Sequence, residues 1–136
     1  MSERILIIED EPDLVSMLEY NLERAGYEVL SALTGSAGLA LARSTPVPDL
    51  VLLDEPYTGL DHHAATVLRT VLETLRDGCR TVVLVTHNLT QGLELADRVA
   101  IQVRGRFAWE GGSTDVVARD FEVLYQETVD RVEGCR

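Results

Sequence analysis

The chain has 136 residues, 46% of them hydrophobic, which is enough for one domain with a sizeable core. Its formal net charge of −11 repels phosphates and argues against nucleic acid as a partner. No apolar run approaches the roughly 18 residues of a membrane span, and all 12 basic residues are arginine, with no lysine anywhere.

The unbroken run Ile5 to Ile8 predicts a first strand, ending in Glu9-Asp10-Glu11. Pro12 suits the first turn of a helix, whose apolar face is Leu14, Leu18, Leu22 and Ala25, with Gly26 as terminator. Tyr27 to Leu33 predicts the second strand. Thr34-Gly35-Ser36 forms a turn and cap for a short helix to about Ser44. Thr45-Pro-Val-Pro48 is a rigid loop before a third strand, Asp49 to Leu53, buried on both faces and ending in Asp54-Glu55. Val67, Leu68, Val71, Leu72 and Leu75 form the next helix face, ending at Gly78. Thr81 to Thr86 is the fourth strand. Asn88 or Thr90 caps a short helix through Ala96. Val99 to Val103 is the fifth strand, and Arg104-Gly105 turns it into an antiparallel edge strand, Arg106 to Trp109, on which Phe107 and Trp109 pack. Gly111-Gly112 is expected to break the chain. A last helical region, interrupted near Asp120, runs towards Val132 and covers the sheet through Val123, Leu124 and Val132.

Alternating strands and helices predict a parallel sheet with helices on both faces and right-handed crossovers. Carboxylates at the ends of the first and third strands, Glu9, Asp10 and Asp54, fall where such sheets place their ligands, and their oxygens suit a hard cation. Cys79 and Cys135 read as free thiols, with a disulfide as the alternative, and Met1-Ser-Glu-Arg4 has no apolar leader region, so a cytoplasmic protein is expected.

Two family resemblances meet at Asp54. Ile5-Leu-Ile-Ile-Glu9-Asp10-Glu11-Pro, Ala25-Gly26-Tyr27, Ala32-x-x-Gly35 and Pro48-Asp49-Leu-Val-Leu-Leu-Asp54 resemble the receiver domain of bacterial response regulators, over residues 1 to about 54. That resemblance implies Glu9, Asp10 and Asp54 as Mg²⁺ ligands, Asp54 as phosphoacceptor and Thr86 as the switch hydroxyl. Leu52-Leu53-Asp54-Glu55-Pro56, Thr58-Gly59-Leu60-Asp61, Val85-Thr86-His87, Ala96-Asp97-Arg98-Val99 and Gly105-Arg106 resemble the C-terminal half of an ABC-transporter ATPase domain, over about 50 to 125. There Asp54 would hold Mg²⁺ through water, Glu55 would polarise the attacking water and His87 would contact the γ-phosphate.

Each half lacks a part that its family needs. No G-x-x-x-x-G-K-[ST] phosphate loop occurs, and none is feasible without lysine. No Leu-Ser-Gly-Gly-Gln-like signature precedes the Asp54 stretch. The receiver's lysine after the fifth strand is also missing; Arg104 and Arg106 lie near its place, but arginine is not its equivalent. Pro56 stands two residues past Asp54, where receivers place a proline four past, so the loop follows the ATPase pattern.

The expected fold is therefore a three-layer α-β-α, flavodoxin-like, doubly wound sheet of order 2-1-3-4-5 with an antiparallel edge strand. It forms one chimeric domain, receiver-like over 1–54 and ABC-ATPase-like over 55–136. Deliberate recombination is the leading origin and a natural mosaic the alternative. The expected function is a scaffold without native catalysis: Glu55 and His87 are vestigial, Asp54 keeps a weak Mg²⁺ and phosphoacceptor site, and no nucleotide is bound. A signalling receiver and an ABC-type ATPase fragment are the alternatives. Without nucleotide, Glu55 and Asp61 read as a polar loop in which Asp61 caps the next helix. His62 and His63, being adjacent, face differently and make no metal site. A monomer is expected, without nucleic-acid, membrane or other assignable partner.

Overall fold

The computed structural model describes residues 2–78, 80–116 and 118–134, with the backbone alone at 118 and 119. The free-thiol readings of Cys79 and Cys135 lie outside the described residues. The chain divides into two compact units, Met1–Thr86 and His87–Arg136.

The first unit is built on β1 (Arg4–Ile8), β2 (Glu28–Ala32), β3 (Leu50–Asp54) and β4 (Thr81–Val85), all parallel, in the order β2-β1-β3-β4. Burial follows position in that order. Leu6, Ile7 and Val51 on the two central strands are at most 1% exposed, whereas Val83 and Val85 on the outer strand β4 are 39% and 47% exposed. Burial alternates along β4 although Val82-Val83-Leu84-Val85 is an unbroken apolar run.

Helix α1 (Pro12–Arg24) carries Pro12 at its start and Asp13 in its first turn, and Gly26 leaves it at φ +99°. Its buried anchor is Val15, with Leu14, Leu18 and Leu22 half-buried beside it; Ala25, expected on that face, is exposed. In α2 (Gly35–Ala42) the Thr34 hydroxyl caps the Ala37 amide at 3.2 Å. Helix α3 (His62–Asp77) is capped by Asp61 Oδ1, which accepts from the Ala64 amide at 2.7 Å. Leu72 and Leu75 are its buried residues, and Val67 is exposed.

The second unit contains α4 (Leu89–Leu95), β5 (Arg98–Val103), β6 (Arg106–Gly112), a 3₁₀ turn at Ser113–Asp115 and α5 (Ala118–Gly134). Asn88 caps α4 through the Gln91 amide at 3.1 Å. Strand β5 does not take the fifth place predicted for it. It pairs antiparallel with β6 in a separate two-stranded sheet, and the parallel sheet ends at β4. The turn explains the partnership: Arg104 and Gly105 both hold positive φ, 51° and 76°, as a two-residue hairpin requires, and such local pairing closes with little loss of chain entropy.

Three further predictions change here. Gly111-Gly112 does not break the chain but extends β6 opposite Val99 and Arg98. A Cβ on Gly111 would lie 2.7 Å from Trp109 Cη2, so glycine is what lets the indole lie across the strand. The pairing slips between Ile101↔Trp109 and Gln102↔Phe107, leaving Ala108 as a bulge. A one-residue slip sends the following side chains to opposite faces. Trp109 therefore packs on the core of Ile101, Val103 and Phe121, while Phe107, expected to pack, is 75% exposed. Helix α5 runs unbroken through Asp120 and covers the hairpin with Phe121, Leu124 and Val132; Val123, expected in that contact, is 56% exposed. Thr128, only 1% exposed, satisfies its hydroxyl on Leu124 O at 2.7 Å. Among the described residues no helix is long and apolar enough to cross a membrane.

Candidate functional site

The register of the parallel sheet sets Ile8 beside Leu53 and Asp54 beside Val85. Glu9 and Asp54, each at the C-terminal end of its strand, are thereby neighbours on adjacent strands. Glu9 is 7% exposed, unusually buried for a carboxylate, and Asp10 is exposed. The backbone holds Glu9 from both sides: its amide donates to Ala32 O at 3.1 Å, and its Oε1 accepts from the Glu11 amide at 3.1 Å.

Burial pushes the Glu9 carboxyl above the usual carboxylate range. The Glu11 amide works against that shift, and Asp10 and Asp54 add to it. Asp54 is also raised, first by burial and then by the charge of Glu55; Asp10 adds to the rise, and a hydrogen bond with Glu9 opposes it. The charges that raise Asp54, those of Glu55 and Asp10, are both negative. Glu9, Asp10, Asp54 and Glu55 therefore form one electrostatic cluster.

Glu55 turns the chain away from the sheet. It holds φ +46°, its amide donates to Val85 O at 2.8 Å, and its Oε2 accepts from Thr86 Oγ1 at 3.2 Å. The Thr86 hydroxyl predicted as a switch is thus engaged by Glu55, a contact that no sequence signal announced because it depends on a left-handed residue other than glycine. Asp61 serves α3 as its cap. His62 and His63 are exposed in the first turn of α3. His87 opens the second unit and is exposed; there Arg104 lies in the hairpin turn and Arg106 begins β6.

The oxygen donors of Glu9, Asp10 and Asp54 suit Mg²⁺ in chemistry. In arrangement they do not form a cage: among the described residues no group of three or more His, Cys, Asp or Glu is placed to hold a metal ion. The carboxylates are near enough to raise one another's affinity for protons, yet their oxygens do not converge on one point.

The chain is similar to two kinds of protein. The family described as "AAA domain, putative AbiEii toxin, Type IV TA system" matches residues 32–90. The sulfate/thiosulfate import ATP-binding protein CysA of Mycobacterium bovis is 44% identical over 101 residues, covering 71% of this chain and 29% of its own. The CheY-like response regulator receiver domain protein of Methanospirillum hungatei JF-1 superposes with a TM-score of 0.54 at 23% identity, covering 98% of both chains. A receiver domain protein from Clostridium thermocellum gives 0.53 at 18% identity, covering 98% of this chain and 99% of its own.

The fold is receiver-like, and the sequence through the middle of the chain is ABC-ATPase-like. The chain spans less than a third of the curated relative's length. The ATPase-type match begins at residue 32, upstream of the position near 50 inferred from motifs, so α2 and β3 lie inside both resemblances. Asp54 is common to the two.

Proposed function

We propose that this chain is a chimeric scaffold in which receiver-type and ABC-ATPase-type sequence share one parallel sheet. On this reading it does not hydrolyse ATP by itself, and Asp54 with Glu9 and Asp10 keeps a weak Mg²⁺ and phosphoacceptor site. The supporting observation is the cluster at the ends of β1 and β3, where the charges acting on Asp54 are acidic and no lysine exists to complete either parent's machinery. Mg²⁺, when bound, would neutralise the clustered carboxylates and screen phosphoryl oxygens brought to Asp54. Since the oxygens do not converge beforehand, binding costs rearrangement and is weak. Walker B acids such as Asp54 and Glu55 position metal and water, but the backbone donors and lysine of a phosphate loop hold the phosphates, and this chain has neither. A net charge of −11 opposes self-association, in keeping with a monomer.

The receiver-like fold favours signalling as a second reading. That reading needs a second conformational state with contacts of its own. The Thr86 hydroxyl is already engaged by Glu55, and the family's lysine is missing.

The test is a set of melting curves and amide spectra with and without Mg²⁺, beryllofluoride and ATP. Expected are a small rise in melting temperature with millimolar Mg²⁺ that disappears in Asp10→Asn with Asp54→Asn, shifts confined to residues near Glu9, Asp10, Asp54 and Thr86, and no ATP effect. A melting temperature indifferent to Mg²⁺ would remove the site. Coherent shifts reaching β5 would put the signalling reading in its place, and ATP stabilisation lost in Asp54→Asn would restore the ATPase.

A further inference from the structure

Among the described residues four strands have an open side, and three of the four are guarded. Strand β2 carries Glu28, ion-paired with Arg4; β5 carries Arg98; β6 carries Arg106 and Glu110 and is bulged at Ala108. Charges and bulges of this kind keep an edge from pairing with a further strand. Strand β4 has neither: Thr81-Val-Val-Leu-Val85 is uncharged, and its five-residue register with β3 is unbroken.

The open side of β4 follows from its occupied side. The Thr81 amide donates to Asp49 O at 3.3 Å, and Val85 O accepts from the Glu55 amide at 2.8 Å, both on the side of β3. Successive residues of a strand direct their amide and carbonyl to opposite sides. Thr81, Val83 and Val85 therefore serve β3, and Val82 and Leu84 present two donors and two acceptors at the edge where no strand pairs. On one face of that edge Val83 and Val85 are 39% and 47% exposed. An apolar, unguarded edge is a template for strand addition.

Charge gives the edge a direction. At the start of β4, Arg80 stands beside Asp49, one residue before the pair Thr81↔Leu50. At its end, Asp54 stands beside Val85 on the same face, and Glu55 follows. One end is balanced and the other acidic, in a chain of net charge −11. That charge sets two copies of this chain against each other and attracts a basic partner.

We propose that the open edge of β4 binds an extended segment of a basic partner protein, added antiparallel as a further strand. Antiparallel pairing is the stronger per residue. Val82 and Leu84 exchange backbone hydrogen bonds with two residues of the segment. Val83 and Val85 then occupy the non-hydrogen-bonded positions, where facing side chains lie closest and β-branched residues pack. The segment's N-terminal residue comes opposite Val85, about 10 Å from β3, a span that an arginine and the Asp54 side chain bridge between them.

The probe is the capped peptide Arg-Arg-Thr-Val-Thr-Val, whose second arginine comes opposite Val85 and whose threonines pair with Leu84 and Val82. Amide spectra and hydrogen exchange of the full chain are followed as peptide is added. Expected are shifts over residues 81–86 and slowed exchange of the Val82 and Leu84 amides, with little change at Val83 and Val85, already bonded to β3. Glutamate in place of both arginines, or N-methylation of both threonines, should abolish binding. The reversed peptide, Val-Thr-Val-Thr-Arg-Arg, should bind about fivefold more weakly, the scale of an exposed ion pair, and Asp54→Asn with Glu55→Gln should erase that preference. Val83→Lys, which guards the edge, should weaken the probe about tenfold. Unchanged amide positions over residues 4–32 would verify that a variant is folded; should one fail that control, the peptide series on the parent still decides. The proposal is overturned if the N-methylated or glutamate peptide binds as the probe does, if the reversed peptide binds as tightly, or if the bound probe leaves the Val82 and Leu84 amides unprotected. Protection of those amides that grows with protein concentration in the absence of peptide would give the edge to a second copy and overturn it equally.

Discussion

Asp54 was legible in the sequence as a residue of two families, but its cost to the fold was not. The structure sets its carboxyl beside a nearly buried Glu9 and an acidic Glu55, and both Glu9 and Asp54 hold protons more tightly than ordinary carboxylates do. A group whose folded pKa is raised stabilises the fold fully below its unfolded pKa, and that contribution is lost as pH rises through the folded pKa. The pair therefore works against the fold at neutral pH. Glu28, lowered by its ion pair with Arg4, has the opposite sign: its contribution is present above its unfolded pKa and lost as pH falls. Measuring one variant against the parent separates the two trends. Asp54→Asn, in chelator, is expected to be more stable than the parent at pH 7, with the gap closing as pH falls through the raised Glu9 and Asp54 pKa values and both carboxyls take up protons. Urea titrations across that range check it; a variant less stable than the parent at pH 7 would show that Asp54 contributes as a hydrogen-bonded group and not as a repelled charge.

Among the elements, α2 shows how a helix can be legible while its packing is not. The Thr34 cap and the small residues of Gly35 to Ala42 announce the helix, but not how closely it lies on β1. A Cβ on Gly38 would lie 2.4 Å from Ile8 Cδ1 and 2.6 Å from Ile8 Cγ1, whereas one on Gly35 would meet nothing within 4 Å. Alanine in a helix usually gains up to about 1 kcal/mol over glycine. At Gly38 the clash should outweigh that gain and cost about 1–3 kcal/mol; Gly35→Ala should be neutral or stabilising. Adding Ile8→Val, which removes the nearest methyl, should recover part of the loss. Urea midpoints decide, and a stabilised Gly38→Ala would mean that α2 can move off the sheet without cost. The β5–β6 hairpin teaches the same lesson. Its turn was readable from Arg104-Gly105, but the bulge at Ala108 was not, and the bulge decides which of Arg106, Phe107 and Trp109 faces the core.

For the whole molecule, the resemblance changes within the first unit, whereas the boundary between compact units lies at Thr86 and His87. Strand β3 is paired on one side with β1 and on the other with β4, so a fragment of residues 1–54 would lose the ladder and the cover of Val51 and Leu53. That fragment is expected to be unfolded. The second unit, taken alone, falls below the size at which a chain readily buries a sufficient core. The full chain, read as one domain, is therefore expected to unfold in a single transition. Trp109, the chain's one tryptophan, reports the second unit by fluorescence, and far-UV dichroism reports both. Coincident curves are expected; two separated transitions, or a folded 1–54 fragment, would refute the one-domain reading.

The sequence by itself determined the element order, the parallel pattern of the first four strands, the cap at Asp61 and the acids at the strand ends, and it narrowed the other two caps to Thr34-Gly35-Ser36 and to Asn88 or Thr90. These depend on local periodicity and on chemistry within a few residues, which a sequence carries directly. Only the tertiary structure decided the partner of β5, the engagement of Thr86 by Glu55 and the exposure of Phe107. Each depends on register or on a backbone angle, and a shift of one residue exchanges the faces of a strand without changing its composition.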